Sequence, residues 1–114
     1  MKLGKYEIHM IDDGLFRLDG GAMYGVVPKN LWSKHEESDD QNRILMTCNN
    51  MLIRTGNKNI LVDTGIGEKE TDKFNKIYAV DLPRNLIPGL KELGLQPEDI
   101  DIVINTHLHF DHCG

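Results

Sequence analysis

The stretch Thr106-His107-Leu108-His109-Phe110-Asp111-His112-Cys113-Gly114 holds three of the five histidines in this sequence of 114 residues. His107 and His109 are two positions apart, so in an extended segment their rings leave the backbone on the same side, and Asp111 and His112 follow in a predicted turn. Imidazole and carboxylate groups suit zinc, manganese or iron, and four such groups in one loop are more naturally shared between two metal ions than wrapped around one. The first hypothesis is therefore a two-metal hydrolytic site.

A strand is predicted directly before the histidines. Residues 100–105 are branched and mostly apolar, which is typical of a strand buried in a layered sheet. Open α/β architectures place their active sites at the ends of such strands. This placement favours a functional site over the alternative, in which the histidines decorate a polar loop or bind metal weakly without chemistry.

Residues 107–112 match the motif His-x-His-x-Asp-His, and through it the sequence resembles the metallo-β-lactamase fold hydrolases. A second signature of that superfamily, an apolar strand that ends in Asp-x-Gly, is present upstream as Ile60-Leu61-Val62-Asp63-Thr64-Gly65. The segment at residues 17–32 resembles the N-terminal region of quorum-quenching lactonase-like members, which open N-acyl homoserine lactones. The resemblance covers nearly the whole chain.

The resemblance implies a ligand set and a mechanism. His107 and His109 would bind the first of two zinc ions, with manganese or iron as alternatives, and Asp111 and His112 would bind the second. The family's remaining ligands, two further histidines and a bridging aspartate, come from later in its chains and are absent from these 114 residues. A metal-activated hydroxide would open an ester or lactone ring. Asp111 is also the expected catalytic residue, because it can orient the nucleophile or pass a proton to the leaving alkoxide.

Asp63 is not expected to bind a metal directly, because it precedes the tight turn Thr64-Gly65 far upstream of the motif. Ligating histidines usually donate their second N–H to a carboxylate or a carbonyl, and we expect Asp63 to do this for one of them or to brace the ligand loop. The alternative is that Asp63 only caps the turn through its side-chain oxygen.

An irregular, glycine-rich loop with an unusually high apolar content is predicted at residues 20–32. In one interpretation Met23, Tyr24 and Trp32 line a substrate pocket that accepts an acyl chain, or contact a partner subunit. In the other, the loop packs over the edge of the sheet. The expected substrate is a small-molecule ester or lactone. Hydrolysis of a thioester, phosphodiester or β-lactam on the same fold is the alternative, since it would use the same ligands.

The predicted fold class is α/β, and the resemblance implies the N-terminal half of an αββα sandwich with a mixed, mostly antiparallel sheet and a covering helix. Residues 1–114 would form one half-domain whose C-terminal half is missing, because the superfamily needs roughly twice this length. We expect association as a homo-oligomer or with the missing half, since a lone half leaves apolar strand faces in water. The isolated chain is expected to bind metal incompletely and to lack catalysis.

Turn residues predict two hairpins. Asp12-Asp13-Gly14 would join strands at residues 7–11 and 15–19, and a second hairpin would join residues 47–54 and 59–62. The intervening polar segments are expected to be solvated loops, and His9 and His35 are not expected to be ligands.

One helix is predicted before the ligand-bearing strand. Leu86, Leu90 and Leu93 recur at helical spacing, Pro88 is tolerated in the first turn, and Gly94 supplies the end. This helix is expected to cover one face of the sheet.

Composition indicates a soluble, cytoplasmic protein. Its 13 basic and 18 acidic residues give a formal charge of −5 without a basic cluster, so a nucleic-acid partner is not expected. No apolar run approaches membrane-spanning length, and residues 1–7 lack the apolar core of a signal peptide. The two cysteines form no disulfide framework. Cys113 adjoins the ligand cluster, and its thiolate is an alternative zinc ligand, although the family has a small, non-ligating residue there.

Overall fold

A computed structural model describes all residues, Met1–Gly114, and places five strands in one mixed sheet. Strand β1 (Lys2–Leu3) is antiparallel to β2 (Tyr6–Asp19), β3 (Arg43–Arg54) is antiparallel to β4 (Asn59–Val62), and β4 is parallel to β5 (Ile102–Ile104). The α/β fold class and the mixed, mostly antiparallel sheet are therefore confirmed. The order of strands across the sheet follows the chain: β1 (Lys2–Leu3), β2 (Tyr6–Asp19), β3 (Arg43–Arg54), β4 (Asn59–Val62), β5 (Ile102–Ile104).

Four short helices accompany the sheet, and none of them combines the length and the apolar character needed to cross a membrane. The predicted helix is confirmed as α4 (Leu86–Glu92). Pro88 is its third residue, and Gly94 lies beyond its end with φ +75°. A 3-10 turn at Pro97–Asp99 then leads into β5. The helices are α1 (Gly20–Tyr24), α2 (Lys29–Trp32), α3 (Asp72–Tyr78) and α4 (Leu86–Glu92).

The chain divides into two compact units. The first comprises Met1–Gly14, Cys48–Glu70 and Leu82–Gly114, and the second comprises Leu15–Thr47 and Thr71–Asp81. All the residues of the His-x-His-x-Asp-His motif and of the Asp-x-Gly signature belong to the first unit, which therefore contains the candidate site.

The core of the first unit lies between α4 and the sheet. Its buried members are Ile11, Leu52, Leu90 and Leu95. Gly89 brings α4 against β2, because a Cβ at this position would collide with the side chain of Ile11. The apolar face predicted for the helix is thus the face that covers the sheet, as expected from its spacing.

In the second unit, aromatic packing organises the segment that was predicted to be an irregular loop. The side chain of Trp32 is 3% exposed, and its ring stacks on Tyr24 with 5.2 Å between centroids. Gly20 leaves room for this ring, since a Cβ there would lie 2.6 Å from a Trp32 ring carbon. The carboxylate of Asp19 accepts from the N–H of Ala22 at 2.8 Å and caps α1. The prediction of an irregular loop was wrong because these tertiary contacts stabilise two short helices.

The hairpin predicted at Asp12-Asp13-Gly14 was also wrong, since β2 runs without reversal from Tyr6 to Asp19. Asp12 accepts from the N–H of Gly14 at 2.8 Å, and Gly14 has φ +96°. Asp13 is completely buried. The three residues therefore produce a local irregularity in a continuing strand. The Asp12 carboxylate accepts from the glycine N–H, and the Asp13 side chain points into the interior.

The ligand-bearing strand and the second hairpin are confirmed, as β5 and as β3 with β4. The predicted burial of the ligand-bearing strand was wrong: the side chains of Ile102, Val103 and Ile104 are 40%, 52% and 47% exposed. Strand β5 is the edge strand of the sheet and pairs with β4 alone. An edge strand with no layer packed on it leaves its side chains in contact with solvent.

Candidate metal centre

The candidate site forms where the parallel strands β4 and β5 end side by side. Val62 pairs with Ile104, and the N–H of Asp63 donates to the carbonyl of Ile104 at 2.9 Å. Parallel pairing therefore delivers Asp63 and Thr106 to the same edge of the sheet, where open α/β folds commonly bind ligands.

Asp63 is 8% exposed and is surrounded by hydrogen-bond donors. Its Oδ1 accepts from the N–H of Thr106 at 2.7 Å, and its Oδ2 accepts from the Thr106 hydroxyl at 2.8 Å. The same Oδ2 lies 2.9 Å from Nδ1 of His112. Asp63 has φ +61°, a left-handed conformation that aspartate tolerates better than most residues. The contact expected between Asp63 and a motif histidine is therefore present, and the role of that histidine as a metal ligand stays a prediction.

The electrostatics of Asp63 favour its ionised form. Burial acts to raise the pKa of Asp63, but the hydrogen bonds from His112 and Thr106 outweigh this effect and hold the pKa below its ordinary value. A charged Asp63 oxygen can only accept, so Nδ1 of His112 donates to it, and Nε2 is the ring nitrogen that lies on the side of Asp111.

The hydroxyl of Thr106 links Asp63 to a second imidazole, that of His107. It has one proton, which it donates to Asp63, and it lies 3.1 Å from Nδ1 of His107. Because this oxygen then accepts from Nδ1 of His107, Nε2 is the ring nitrogen of His107 that takes no part in this contact. Deprotonated Nε2 atoms are the form in which imidazoles bind metals.

The three motif histidines lie together. The ring centroids of His107 and His112 are 4.0 Å apart, and those of His107 and His109 are 4.7 Å apart with the rings nearly perpendicular. Oδ2 of Asp111 lies 3.4 Å from Nε2 of His112. The N–H of His112 donates to the carbonyl of His109 at 2.9 Å, so the turn predicted at this point is confirmed.

The donor set fits zinc or a similar cation in chemical type, since it consists of imidazoles and one carboxylate. However, no three His, Cys, Asp or Glu side chains of the chain are arranged to hold one metal ion. The four motif side chains are thus gathered in one place without forming a complete site by themselves. Their assignment as ligands, and that of Asp111 as the catalytic residue, stays a prediction.

The two cysteines have different surroundings. The thiol of Cys113 is partly exposed and donates to the carbonyl of His109 at 3.3 Å, so it is directed at the backbone of the ligand loop. Cys48 lies within β3 and is 5% exposed. Burial raises the pKa of the Cys48 thiol to about 11, against the effect of the nearby Arg84 charge.

The three residues predicted to line a substrate pocket lie in α1 and α2 of the second unit. Met23 is 45% exposed, whereas Trp32 is buried and stacked on Tyr24. Their role toward a substrate stays a prediction.

Three residues with buried or site contacts were not predicted from the sequence. Thr106 lies between the strand and the first histidine, and this position is the signal that could have identified it. Asp13 was assigned to a turn, and Arg84 was given no role. No local pattern distinguishes Arg84 from a surface arginine.

Comparison with known proteins identifies the family. Residues 43–114 match the metallo-beta-lactamase superfamily, and the chain belongs to this superfamily. Its structure is similar to that of a probable metal-dependent hydrolase from Staphylococcus aureus, with a TM-score of 0.91 and 42% sequence identity, over 98% of this chain and 41% of that chain.

Two relatives carry more specific names. An N-acyl homoserine lactonase from a Bacillus species is 37% identical over an alignment of 73 positions that covers 55% of this chain and 29% of the lactonase. AidC, described as a dizinc quorum-quenching lactonase, superposes with a TM-score of 0.68 and 27% identity over 98% of this chain and 36% of its own. The chain thus spans less than half the length of each of these relatives.

Proposed function

We propose that this chain is part of a metal-dependent hydrolase that opens lactones or related ester rings. The observation that carries the proposal is the gathering of three imidazoles and the Asp111 carboxylate in one loop, with Asp63 bonded to His112. Membership of the metallo-beta-lactamase superfamily supports hydrolysis. The likeness to an N-acyl homoserine lactonase supports a lactone as the substrate class.

In this proposal His107 and His109 hold one cation, and Asp111 and His112 hold a second. The dizinc relative supports zinc, with manganese or iron as alternatives. When bound, two such cations lower the pKa of water toward neutrality and polarise the carbonyl that is attacked. No three motif side chains are arranged to hold one cation, and we propose that each cation has further ligands from outside residues 1–114.

The chain's own residues orient the ligands and move the proton. Asp63 accepts from Nδ1 of His112 directly and reaches Nδ1 of His107 through the Thr106 hydroxyl, so Nε2 of each ring is the nitrogen proposed to bind a cation. Asp111 is the group proposed to orient the nucleophile and to deliver a proton to the alkoxide that leaves when the ring opens.

Met23, Tyr24 and Trp32 are the residues proposed to contact an acyl chain. Met23 is exposed and flexible in shape, which suits contact with an alkyl chain. The stack of Tyr24 on the buried Trp32 ring gives the neighbouring aromatic surface a fixed orientation.

We also propose that β5 is covered in the assembled enzyme, by the remainder of the protein or by a second copy. Its three apolar side chains are 40–52% exposed on an edge strand, a surface that readily pairs with another chain. A molar mass measurement on the 114-residue chain tests this: self-association is expected, and a well-folded monomer would count against it.

The decisive experiment uses the purified full-length protein. Metal content per chain and hydrolysis of homoserine lactones are measured for the wild type, for His109→Ala, and for the matched control His35→Ala, whose exposed histidine lies in the second unit. We expect about two metals per chain in the wild type, and loss of metal and of lactone hydrolysis in His109→Ala alone. Retention of both by His109→Ala would refute the proposed site.

Substrate profiling separates the leading function from its alternatives. The same preparations are assayed with a thioester, a phosphodiester and a β-lactam beside the lactone. Faster turnover of one of these three would keep the metal-dependent hydrolase and replace the lactone as its substrate.

A further inference from the structure

A buried ion pair lies beneath the turn that follows β4. Asp13 is completely buried and Arg84 is 5% exposed. Oδ2 of Asp13 accepts from Nε of Arg84 at 3.1 Å and lies 3.0 Å from its Nη2, while Oδ1 accepts from the N–H of Leu86 at 2.6 Å. Taking two charges out of water is costly, and such a pair is tolerated only where its geometry and hydrogen bonds are good. The mechanism proposed above makes no use of it.

The ion pair contacts the turn at both of its ends. Gly65 lies directly against the Asp13 carboxylate, and a Cβ at this position would collide with Oδ2. Gly65 also has φ +71°, which a side chain rarely adopts. At the other end of the turn, the carboxylate of Glu68 accepts from the N–H of Arg84 at 2.9 Å. The turn from Thr64 to Glu68 is thus seated on the pair.

The same turn is hydrogen-bonded to the ligand loop, residues 106–114. The N–H of Thr64 donates to the carbonyl of His112 at 2.9 Å, and the carbonyl of Gly65 accepts from the N–H of Gly114 at 2.9 Å. Gly67 packs closely on the same end of the loop, because a Cβ there would lie 2.9 Å from the Gly114 carbonyl carbon. Two backbone hydrogen bonds therefore link the loop to the turn Thr64–Glu68, which packs against the Asp13–Arg84 pair.

From this geometry we infer that Asp13 and Arg84 are positioning residues for the metal-binding loop. The inference rests on the proposed function, in that the loop is taken to carry the metal ligands. The pair acts through Gly65 and Glu68 on the turn, and through Thr64 and Gly65 on the backbone around His112. Metal ligands must be held within a fraction of an ångström, so a loosened turn weakens metal binding.

Asp13→Asn tests the role with little change in shape. The asparagine oxygen can still accept from Leu86, but its amide group then faces the Arg84 guanidinium, donor against donor, and the buried charge loses its partner. Asp39→Asn is the matched control. Its Arg43 partner lies 2.9 Å away in the second unit, and Arg43 bonds there to the carbonyl of Lys76.

The first readout is amide hydrogen exchange in the metal-free full-length protein. In Asp13→Asn we expect the amides of Thr64 and Gly114 to exchange about tenfold faster, while core amides at residues 51–53 keep their wild-type rates. Asp39→Asn should leave all of these rates unchanged. A uniform acceleration of every amide, or no change at Thr64 and Gly114, would overturn the inference.

The second readout is the zinc dissociation constant of the same variants, measured by competition with a chelator. We expect it to rise about 10-fold to 100-fold in Asp13→Asn and to stay unchanged in Asp39→Asn. Wild-type affinity in Asp13→Asn would overturn the inference. If the wild type bound no zinc, the proposed function would fail, and the exchange rates would still decide whether the pair positions the loop.

Arg84→Lys keeps the test open if Asp13→Asn does not fold. Lysine retains the positive charge but lacks the planar fork that meets the Asp13 carboxylate. We again expect faster hydrogen exchange at the amides of Thr64 and Gly114 and unchanged exchange in the core. Unchanged rates at both amides in a folded Arg84→Lys protein would overturn the inference.

Discussion

Oδ2 of Asp63 lies 2.9 Å from Nδ1 of His112, at the point where two parallel strands end together. The same carboxylate accepts from the Thr106 hydroxyl, which in turn lies 3.1 Å from Nδ1 of His107. One buried carboxylate therefore orients two imidazoles, His112 directly and His107 through a hydroxyl. Asp63, which lies far from the motif in sequence, thereby fixes the orientation of two side chains of the motif.

Asp63→Asn should weaken metal binding without disturbing the fold. The dissociation constant for zinc is expected to rise about 10-fold to 100-fold, because the carboxylate that orients His112 is lost. Asparagine tolerates the left-handed φ of +61° at this position, so the circular dichroism spectrum and the unfolding midpoint should change little. The measurement is chelator competition on the full-length protein.

Asp63→Ala is the matched comparison, since alanine lacks both the acceptor and the tolerance of a left-handed backbone. It should lose metal affinity and in addition destabilise the fold by about 1–2 kcal/mol. Equal zinc affinity in wild type and Asp63→Asn would show that the carboxylate does not support a ligand.

Thr106→Val should impair metal binding less than Asp63→Asn. Valine keeps the shape of threonine and the N–H that donates to Asp63 at 2.7 Å, but it removes the hydroxyl between Asp63 and His107. His112 keeps its carboxylate partner and only the link to His107 is lost, so we expect about a tenfold rise in the zinc dissociation constant. Thr106→Ser restores the hydroxyl and should restore the affinity. A loss of affinity in Thr106→Ser but not in Thr106→Val would point to packing of the methyl group instead.

Gly65→Ala should destabilise the protein more than Gly56→Ala. Both glycines have positive φ, +71° and +94°, so each substitution carries backbone strain of about 1–2 kcal/mol. A side chain at Gly56 meets open space, whereas at Gly65 it meets the Asp13 carboxylate. We expect this contact to add about 1–3 kcal/mol to the loss in the free energy of unfolding. Denaturant titration of the two variants measures the difference, and equal losses would contradict the close packing.

The two cysteines should differ strongly in reactivity toward a disulfide reagent at pH 8. Burial raises the pKa of Cys48 to about 11, so only about one thiol in a thousand is ionised at this pH, and the side chain is 5% exposed. Cys113 is partly exposed and should account for the fast phase. Cys113→Ser should remove that phase and Cys48→Ser should keep it. Two fast thiols in the native protein would argue against the burial of Cys48.

Asp39 should make the second unit sensitive to acid. The N–H of Arg43 donates to Asp39 at 2.8 Å and, against the effect of burial, holds the pKa of this carboxyl below its ordinary value. Because the pKa is lower in the folded state, the stabilisation is complete above ~pH 4, the ordinary aspartate range, and is lost as the pH falls through the folded value.

Asp39→Asn should therefore flatten the dependence of stability on pH below ~pH 4, as measured by thermal unfolding at a series of acidic pH values. Asp40→Asn removes the same charge from the neighbouring exposed position and serves as the control. Identical acid profiles for wild type and Asp39→Asn would contradict the role assigned to Asp39.

Much of the first unit was predictable from local patterns. The spacing of Leu86, Leu90 and Leu93 located α4, and the alternation of apolar residues around Gly56 located β3 and β4. The order of the Asp-x-Gly signature and the histidine motif indicated the family. These features depend on the periodicity of a helix or a strand and on the chemistry of single residues, which neighbouring residues express directly.

The wrong predictions share one physical cause: a contact with a residue distant in sequence determined a structure that the local composition did not predict. Asp12-Asp13-Gly14 has the composition of a turn, yet Asp13 is paired with Arg84, 71 residues away, and the strand continues. The glycine-rich segment after Asp19 has the composition of a loop, yet the burial of Trp32 folds it into two helices.

The amino-acid sequence specifies the ligand types, their spacing and the strand that precedes them, because these are properties of contiguous residues. Only tertiary contacts bring Asp63 to His112, seat Gly65 on the Asp13–Arg84 pair, and expose β5 at the edge of the sheet. The reason is that strand pairing and burial join residues that no local periodicity relates, and the desolvation of a charge is felt only where the folded chain surrounds it.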